Sequence, residues 1–176
     1  MEVVLFSGHM IDAPGRARPR FPPEKVLQVR RSIAEAIWLI DDPEAWAVSG
    51  LACGGDLLFA TEWLKTGRRL QGFLPREVEQ FLDESVRFAG EEWVEAFREV
   101  TADPGVEVIG PDHDMAGLED PHTPNNLRML EAALQAGGRV QGLFLWDGEG
   151  GDGPGGTQHL ISVVLESGGG FTIIRP

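Results

Sequence analysis

The stretch VQGLFLWDGEGGDGPGGTQHLISVVLES, residues 140–167, most constrains the fold, because it sets a strand, a flexible turn and the start of a helix in one order. Val140–Trp146 is an apolar run of the kind found in strands covered on both faces. GEGGDGPGG permits tight turns, and from Thr157 an apolar pattern resumes at helical spacing. A helix starting near Thr157 presents unpaired backbone N–H groups and the positive end of its dipole to that loop, so its natural partner is an anion. The same order occurs earlier, where Trp46–Leu51 reads as a strand, ACGGD as the turn and Leu57–Lys65 as a helix. Two such units predict a nucleotide-sized ligand lying across the carboxyl edge of a parallel sheet.

The rest of the chain fits that plan. Val3–Phe6 reads as the first central strand, with Ser7, Gly8 and His9 at its carboxyl end. IDAPGRARPRFPP is too rich in proline for a continuous helix and reads as a loop or lid. A helix then starts at Pro23 or Glu24 and carries Val26, Val29, Ile33, Ile37 and Ile40 on one stripe before the stop at Asp41-Asp42-Pro43. Leu70–Leu74 is a short strand. Arg76–Val100 reads as one long helix with Phe81, Ser85, Ala89, Trp93 and Phe97 at four-residue spacing, which Gly90 could bend or divide. Val106–Ile109 is another strand, and GPDHDMAGLEDPHTPNN a loop over the sheet edge. Asn125 or Asn126 caps a helix reaching Ala136, and Phe171–Ile174 closes the chain as an edge strand. Some six strands alternating with helices predict an α/β, three-layer Rossmann-like fold around a mainly parallel central sheet, as one domain over residues 1–176.

Composition narrows the partners. Fifteen Lys and Arg against 28 Asp and Glu give a net charge of -13, which opposes general nucleic-acid binding through phosphate neutralisation. The charge is uneven: residues 1–31 hold six basic and three acidic side chains, +3, leaving -16 for the remainder. A lone cysteine, Cys53, allows no internal disulfide, and the opening MEVVLFSG lacks a secretory signal pattern. No apolar run approaches the roughly 18 residues of a membrane span. The expectation is a cytoplasmic protein without membrane insertion, with homo-oligomerisation left open.

FSGHMIDAPGRARPRFP, LACGGDLLFATEWL and WDGEGGDGPGGTQHL together resemble the SLOG superfamily, a Rossmannoid group related to DprA and the Lonely-guy proteins. The resemblance spans nearly the whole chain. It implies binding of nucleotides or nucleotide-derived ligands, with some branches sensing them and others cleaving them. It places Ser7, Gly8 and His9 beside the first strand, Gly54, Gly55 and Asp56 beside the second, and Gly155, Gly156 and Thr157 at a phosphate-binding turn. The Lonely-guy phosphoribohydrolases carry PGGxGTxxE, whereas GPGGTQHLI here lacks the second glycine-threonine step and the glutamate. The first strand runs into SGH rather than GxGxxG, so a nicotinamide cofactor is not the default.

Each candidate also has an ordinary folding role. Gly54 and Gly55 can admit a phosphate or ribose to backbone donors or simply turn strand into helix. Asp56 can cap that helix, accept ribose hydroxyls or assist water attack, and Glu62 is a second candidate acid for a hydrolase. Gly155 and Gly156 read as an anion turn and Thr157 as a helix cap or phosphate ligand. His9 suits base or phosphate recognition as well as loop hydrogen bonding. Arg16, Arg18 and Arg20 alternate along the first loop as solvated charge or a phosphate clamp, with Arg16, nearest the strand turn, the first candidate. Asp112, His113, Asp114 and His122 lack the spacing of a strong metal site, and none is predicted. Asp147, Glu149 and Asp152 could hold Mg2+ beside a phosphate, or form an exposed acidic loop. Cys53 has neither a CxxC partner nor an identified activating base. The leading expectation is a nucleotide-ligand sensor or binding protein. The alternatives are a nucleotide-processing hydrolase, including N-glycosidic cleavage, and a structural or protein-interaction module using the acidic, aromatic segment 77–100.

Overall fold

The computed structural model describes residues 1–149 and 156–176. The expectations for Gly155, and for Gly150, Gly151, Asp152 and Gly153 before it, lie outside the described residues. Six strands, β1 (Glu2–Gly8), β2 (Trp46–Ser49), β3 (Leu70–Phe73), β4 (Val106–Ile109), β5 (Arg139–Leu145) and β6 (Gly170–Ile174), form one sheet in the order β4-β3-β2-β1-β5-β6. Every pairing is parallel. The helices are α1 (Val26–Trp38), α2 (Gly55–Leu64), α3 (Val78–Ser85), α4 (Glu91–Ala102), α5 (His122–Gln135) and α6 (Thr157–Glu166). The architecture is the Rossmann-like α/β fold expected, with the sheet wholly parallel.

Strand alternation explains why the central strands are apolar throughout. Val4 and Phe6 of β1 face the layer of α1 to α4, where they meet Val29, Ile33, Phe59, Trp63, Phe81 and Phe97. Val3 and Leu5 face the opposite layer of α5 and α6, where Met129, Leu130, Leu160 and Val164 cover them. Phe6 stacks on Phe59 with ring centroids 4.4 Å apart, so the first strand and α2 share an aromatic contact at the sheet centre. From β1 the chain steps outward to β4; α5 then returns it to β5, on the other side of β1. That reversal puts the carboxyl ends of β1 and β5 at the topological switch point, where open α/β sheets leave a crevice.

Two expectations change in detail. The segment Arg76–Val100 is not one helix: Gly90, at φ 123°, separates α3 and a 3-10 turn from α4. A left-handed residue interrupts the helical hydrogen-bond ladder, and the chain turns so that Phe81 and Phe97 meet at 5.9 Å. Trp93 and Phe97 are buried in the monomer core, as their shared spacing with Phe81 predicts. Asn125 and Asn126 do not cap α5, which begins at His122. Asp120 accepts the His122 and Thr123 N–H groups instead, leaving both asparagines inside the helix and buried.

Strand β1 and helix α2 approach each other backbone to backbone. A Cβ on Gly55 would lie 2.9 Å from the Gly8 Cα. Gly54 has φ 88°, and a Cβ there would lie 2.6 Å from the Ile11 nitrogen and 2.8 Å from the His9 oxygen. Gly54→Ala therefore combines left-handed strain with overpacking against backbone that has no rotamer to move. We expect it to destabilise the fold by about 3 kcal/mol. A lower urea midpoint with an unchanged denaturant slope is the expected readout; an unchanged midpoint would refute the close-packing account.

Candidate functional site at the sheet switch point

A cavity of about 320 Å³ opens at the carboxyl edge. Its lining gathers Ser7, Gly8 and His9 from the end of β1, Asp56 from the first turn of α2, and Gly156 and Thr157 at the start of α6. Arg20 closes it from the first loop, and His122, Asn125 and Asn126 line it from the first turn of α5. Six of the sequence-predicted residues thus converge. Gly54 and Gly55 stand behind the wall: the Gly55 N–H donates to the His9 carbonyl at 3.0 Å, so the turn supports the cavity through β1.

Asp56 holds this junction together. Its carboxylate accepts the Gly8 N–H at 3.0 Å and the Ala52 N–H at 3.2 Å, tying the end of β1 to the turn before α2. The side chain does not serve as the N-cap of α2, because Gly54 occupies that position and Asp56 already lies within the helix. Burial pushes the Asp56 carboxyl up to about 7, against the lowering effect of the two N–H donors. Beside it, Leu51 is fully buried and has φ 60°, a strained conformation for a branched residue.

His9 forms a second joint, to the end of β5. Its own N–H donates to the Leu145 carbonyl at 3.1 Å, and the Asp147 N–H donates to its Nε2 at 3.1 Å. The same Nε2 lies 3.0 Å from Asp147 Oδ1. Burial lowers the His9 pKa despite the neighbouring carboxylate, so the neutral ring, accepting from the Asp147 backbone, is favoured at neutral pH. A proton on Nε2 would reverse the bond, donating to the Asp147 carboxylate. The imidazole edge facing Asp147 is therefore already engaged.

The first loop folds over this region because Asp12 accepts the Arg20 and Phe21 N–H groups, both at 2.9 Å, while its own N–H donates to the Phe21 carbonyl. This closure brings Arg20 to the cavity. Arg16 is held elsewhere, with its Nε donating to the Arg18 carbonyl at 3.0 Å and lying 3.4 Å from Asp12. Glu62 is likewise not brought to the cavity. It lies farther along α2, 2.7 Å from Lys65 and 3.7 Å from Arg30. Ser7 Oγ and Thr157 Oγ1 approach to 3.4 Å across the entrance, and Thr157 makes no capping bond to its own helix.

The sequence offers Asn125 and Asn126 as helix caps and gives no sign that they line the cavity. Asn125 donates to the Phe73 carbonyl at 3.0 Å and accepts from Arg128 at 3.0 Å, so it latches α5 to the end of β3. His122, whose pKa burial lowers, lines the cavity one turn earlier. The Pro124-Asn125-Asn126 run was the available signal, for a helix start; the fold alone places its two asparagines in the cavity lining.

Of the acidic loop, Asp147 is engaged by His9, and Glu149 lies 3.4 Å from Arg18. No cluster of three metal-binding side chains occurs among the described residues. Burial pushes the Cys53 thiol up to about 12, which opposes a thiolate nucleophile at neutral pH.

No protein-family model matches this chain, and no curated protein matches it. Among solved structures, the X-ray structure of DNA processing protein A (DprA) from Streptococcus pneumoniae is similar at 15% identity and a TM-score of 0.44. The alignment covers 95% of this chain and 58% of that one, so the chain spans less than two thirds of that protein's length. Among the described residues no helix is long and apolar enough to cross a membrane.

The Asp56 junction has a pH signature. Its carboxyl titrates near 3.8 unfolded and about 7 folded, so the protonated form favours the folded chain. That contribution is complete below pH 3.8 and is lost as pH rises through about 7. The stability difference between wild type and Asp56→Asn should fall by on the order of 4 kcal/mol from pH 4 to pH 8. Parallel denaturation curves across that range are the check; a pH-independent difference would show that Asp56 is not buried and ionisable as described.

Proposed function

We propose that this chain is a nucleotide-ligand sensor or binding protein whose ligand occupies the switch-point cavity. The observation that carries this reading is the start of α6, at Gly156 and Thr157, opening on a cavity beside β1 that Arg20 also lines. The opening N–H groups of a helix have no acceptors within it, and its dipole favours an anion there. Phosphate would lie toward Gly156 and Thr157, with Arg20 supplying paired donors from the loop. The sugar and base would extend toward His122 and Asn126, over the apolar surfaces of Met10, Phe81 and Met129.

A second reading rests on Asp56. A carboxyl shifted to about 7 by burial exchanges protons near neutral pH, as a general acid or base in nucleotide hydrolysis must. Both of its oxygens already accept backbone N–H groups, which favours a supporting role and makes binding without turnover the first expectation. Mass spectrometry of nucleotides incubated with the protein separates the readings, since glycosidic cleavage yields a free base.

Calorimetry with nucleoside monophosphates and their matching nucleosides tests the phosphate end. Thr157→Val should weaken monophosphate binding by about threefold to tenfold while leaving the nucleoside comparison nearly unchanged. Arg20→Ala should cost more affinity than Arg16→Ala, and its effect should shrink with added salt. Equal affinities for both ligand classes in wild type and every variant would overturn the phosphate assignment.

A further inference from the structure

Away from the cavity, α1 carries a second apolar stripe that none of the described residues covers. Val29, Ile33 and Ile37 fill the core, whereas Leu27 and Trp38, on the opposite side, are 69% and 86% exposed. Arg31 and Ala34 fall between them at helical spacing, and Leu39, just beyond the helix, is 84% exposed. Trp38 borders a groove of about 440 Å³ between the distal ends of α1 and α2. Ala34, Ile37 and Ile40 make its apolar wall, and Glu62, Lys65 and Arg68 its polar wall. A large exposed aromatic beside an apolar groove is the usual anatomy of a protein-binding surface.

Charge selects the occupant. Lys65 and Arg68 outnumber Glu62 in the groove lining, and Arg30 lies 3.7 Å from Glu62, leaving the groove locally positive on a chain of net charge -13. Glu62 is itself compensated by Lys65 and Arg30. A second copy joined by two-fold symmetry would set one positive face against another. A nucleic acid would meet the long-range repulsion of the whole acidic chain, and the leucines offer it nothing specific. An acidic segment with apolar anchors matches both the charge and the stripe.

We propose that the α1–α2 face docks an acidic amphipathic segment of a partner protein, with an apolar anchor in the groove beside Trp38 and carboxylates against Arg31 and Lys65. The site is separate from the switch-point cavity and does not depend on what that cavity binds. Selection of a randomised helical-peptide display library on the intact chain tests it directly. Enriched peptides should be acidic, should carry aromatic or aliphatic residues at i, i+3 or i+4 and i+7, and should bind less tightly as salt rises. Trp38→Ala and Arg31→Glu should each lower their affinity by about tenfold or more, with unchanged thermal melting because both positions lie at the surface. The proposal fails if no peptide is enriched, if the enriched peptides are not acidic, or if they bind both variants like wild type. It also fails if light scattering shows a dimer that Trp38→Ala dissociates, or if a single-stranded oligonucleotide binds this face and competes with the peptides.

Discussion

The end of β1 can lie against the start of α2 only because neither backbone carries a side chain at the contact. Gly8 and Gly55 meet there, and the Asp56 carboxylate collects the N–H groups that the approach would leave without acceptors. Burying that carboxylate costs free energy, visible as its raised pKa, and two backbone donors offset part of the cost. The cavity beside β1 opens next to this junction, which contributes Gly8 and Asp56 to its lining.

A second consequence follows from charge. The chain is strongly acidic, yet its cavity lies at helix starts with Arg20 across the entrance. Local dipoles and one guanidinium act over a few ångströms, whereas net charge acts over a Debye length of about 8 Å at physiological salt. A small anion inside the cavity responds chiefly to the former, and a polyanion outside to the latter. Small-ligand recognition and poor affinity for extended nucleic acid are therefore compatible in one molecule. His9 and Asp147 contribute by joining β1 to β5 through a neutral ring instead of placing another carboxylate free in the cavity.

The α1 helix shows a division of labour within one element. Its inward stripe makes the core, and its outward stripe spends apolar side chains where a surface helix normally carries charge. The switch-point cavity and the α1–α2 groove lie at different ends of α2, with Asp56 of its first turn lining the former and Glu62 of its last turn the latter.

Much of the architecture was legible in the sequence. Apolar runs flanked by turn residues located all six strands, Val106–Ile109 to the residue, because β-branched and apolar residues bounded by turn formers favour extended chain locally. Ser7, Gly8, His9, Asp56, Gly156 and Thr157 could be nominated because they follow strands or begin helices, and the parallel topology brings such positions to one edge. Tertiary packing alone decided which neighbours were admitted. Arg20 reaches the cavity and Arg16 does not because Asp12 closes the loop at Phe21; Glu62 leaves it because about 1.7 helical turns carry it down α2 from Asp56. The asparagines of α5 enter it because the crossover from β4 returns beside β1. Sequence spacing determines which face of an element a residue occupies, but only the packed fold determines what that face meets.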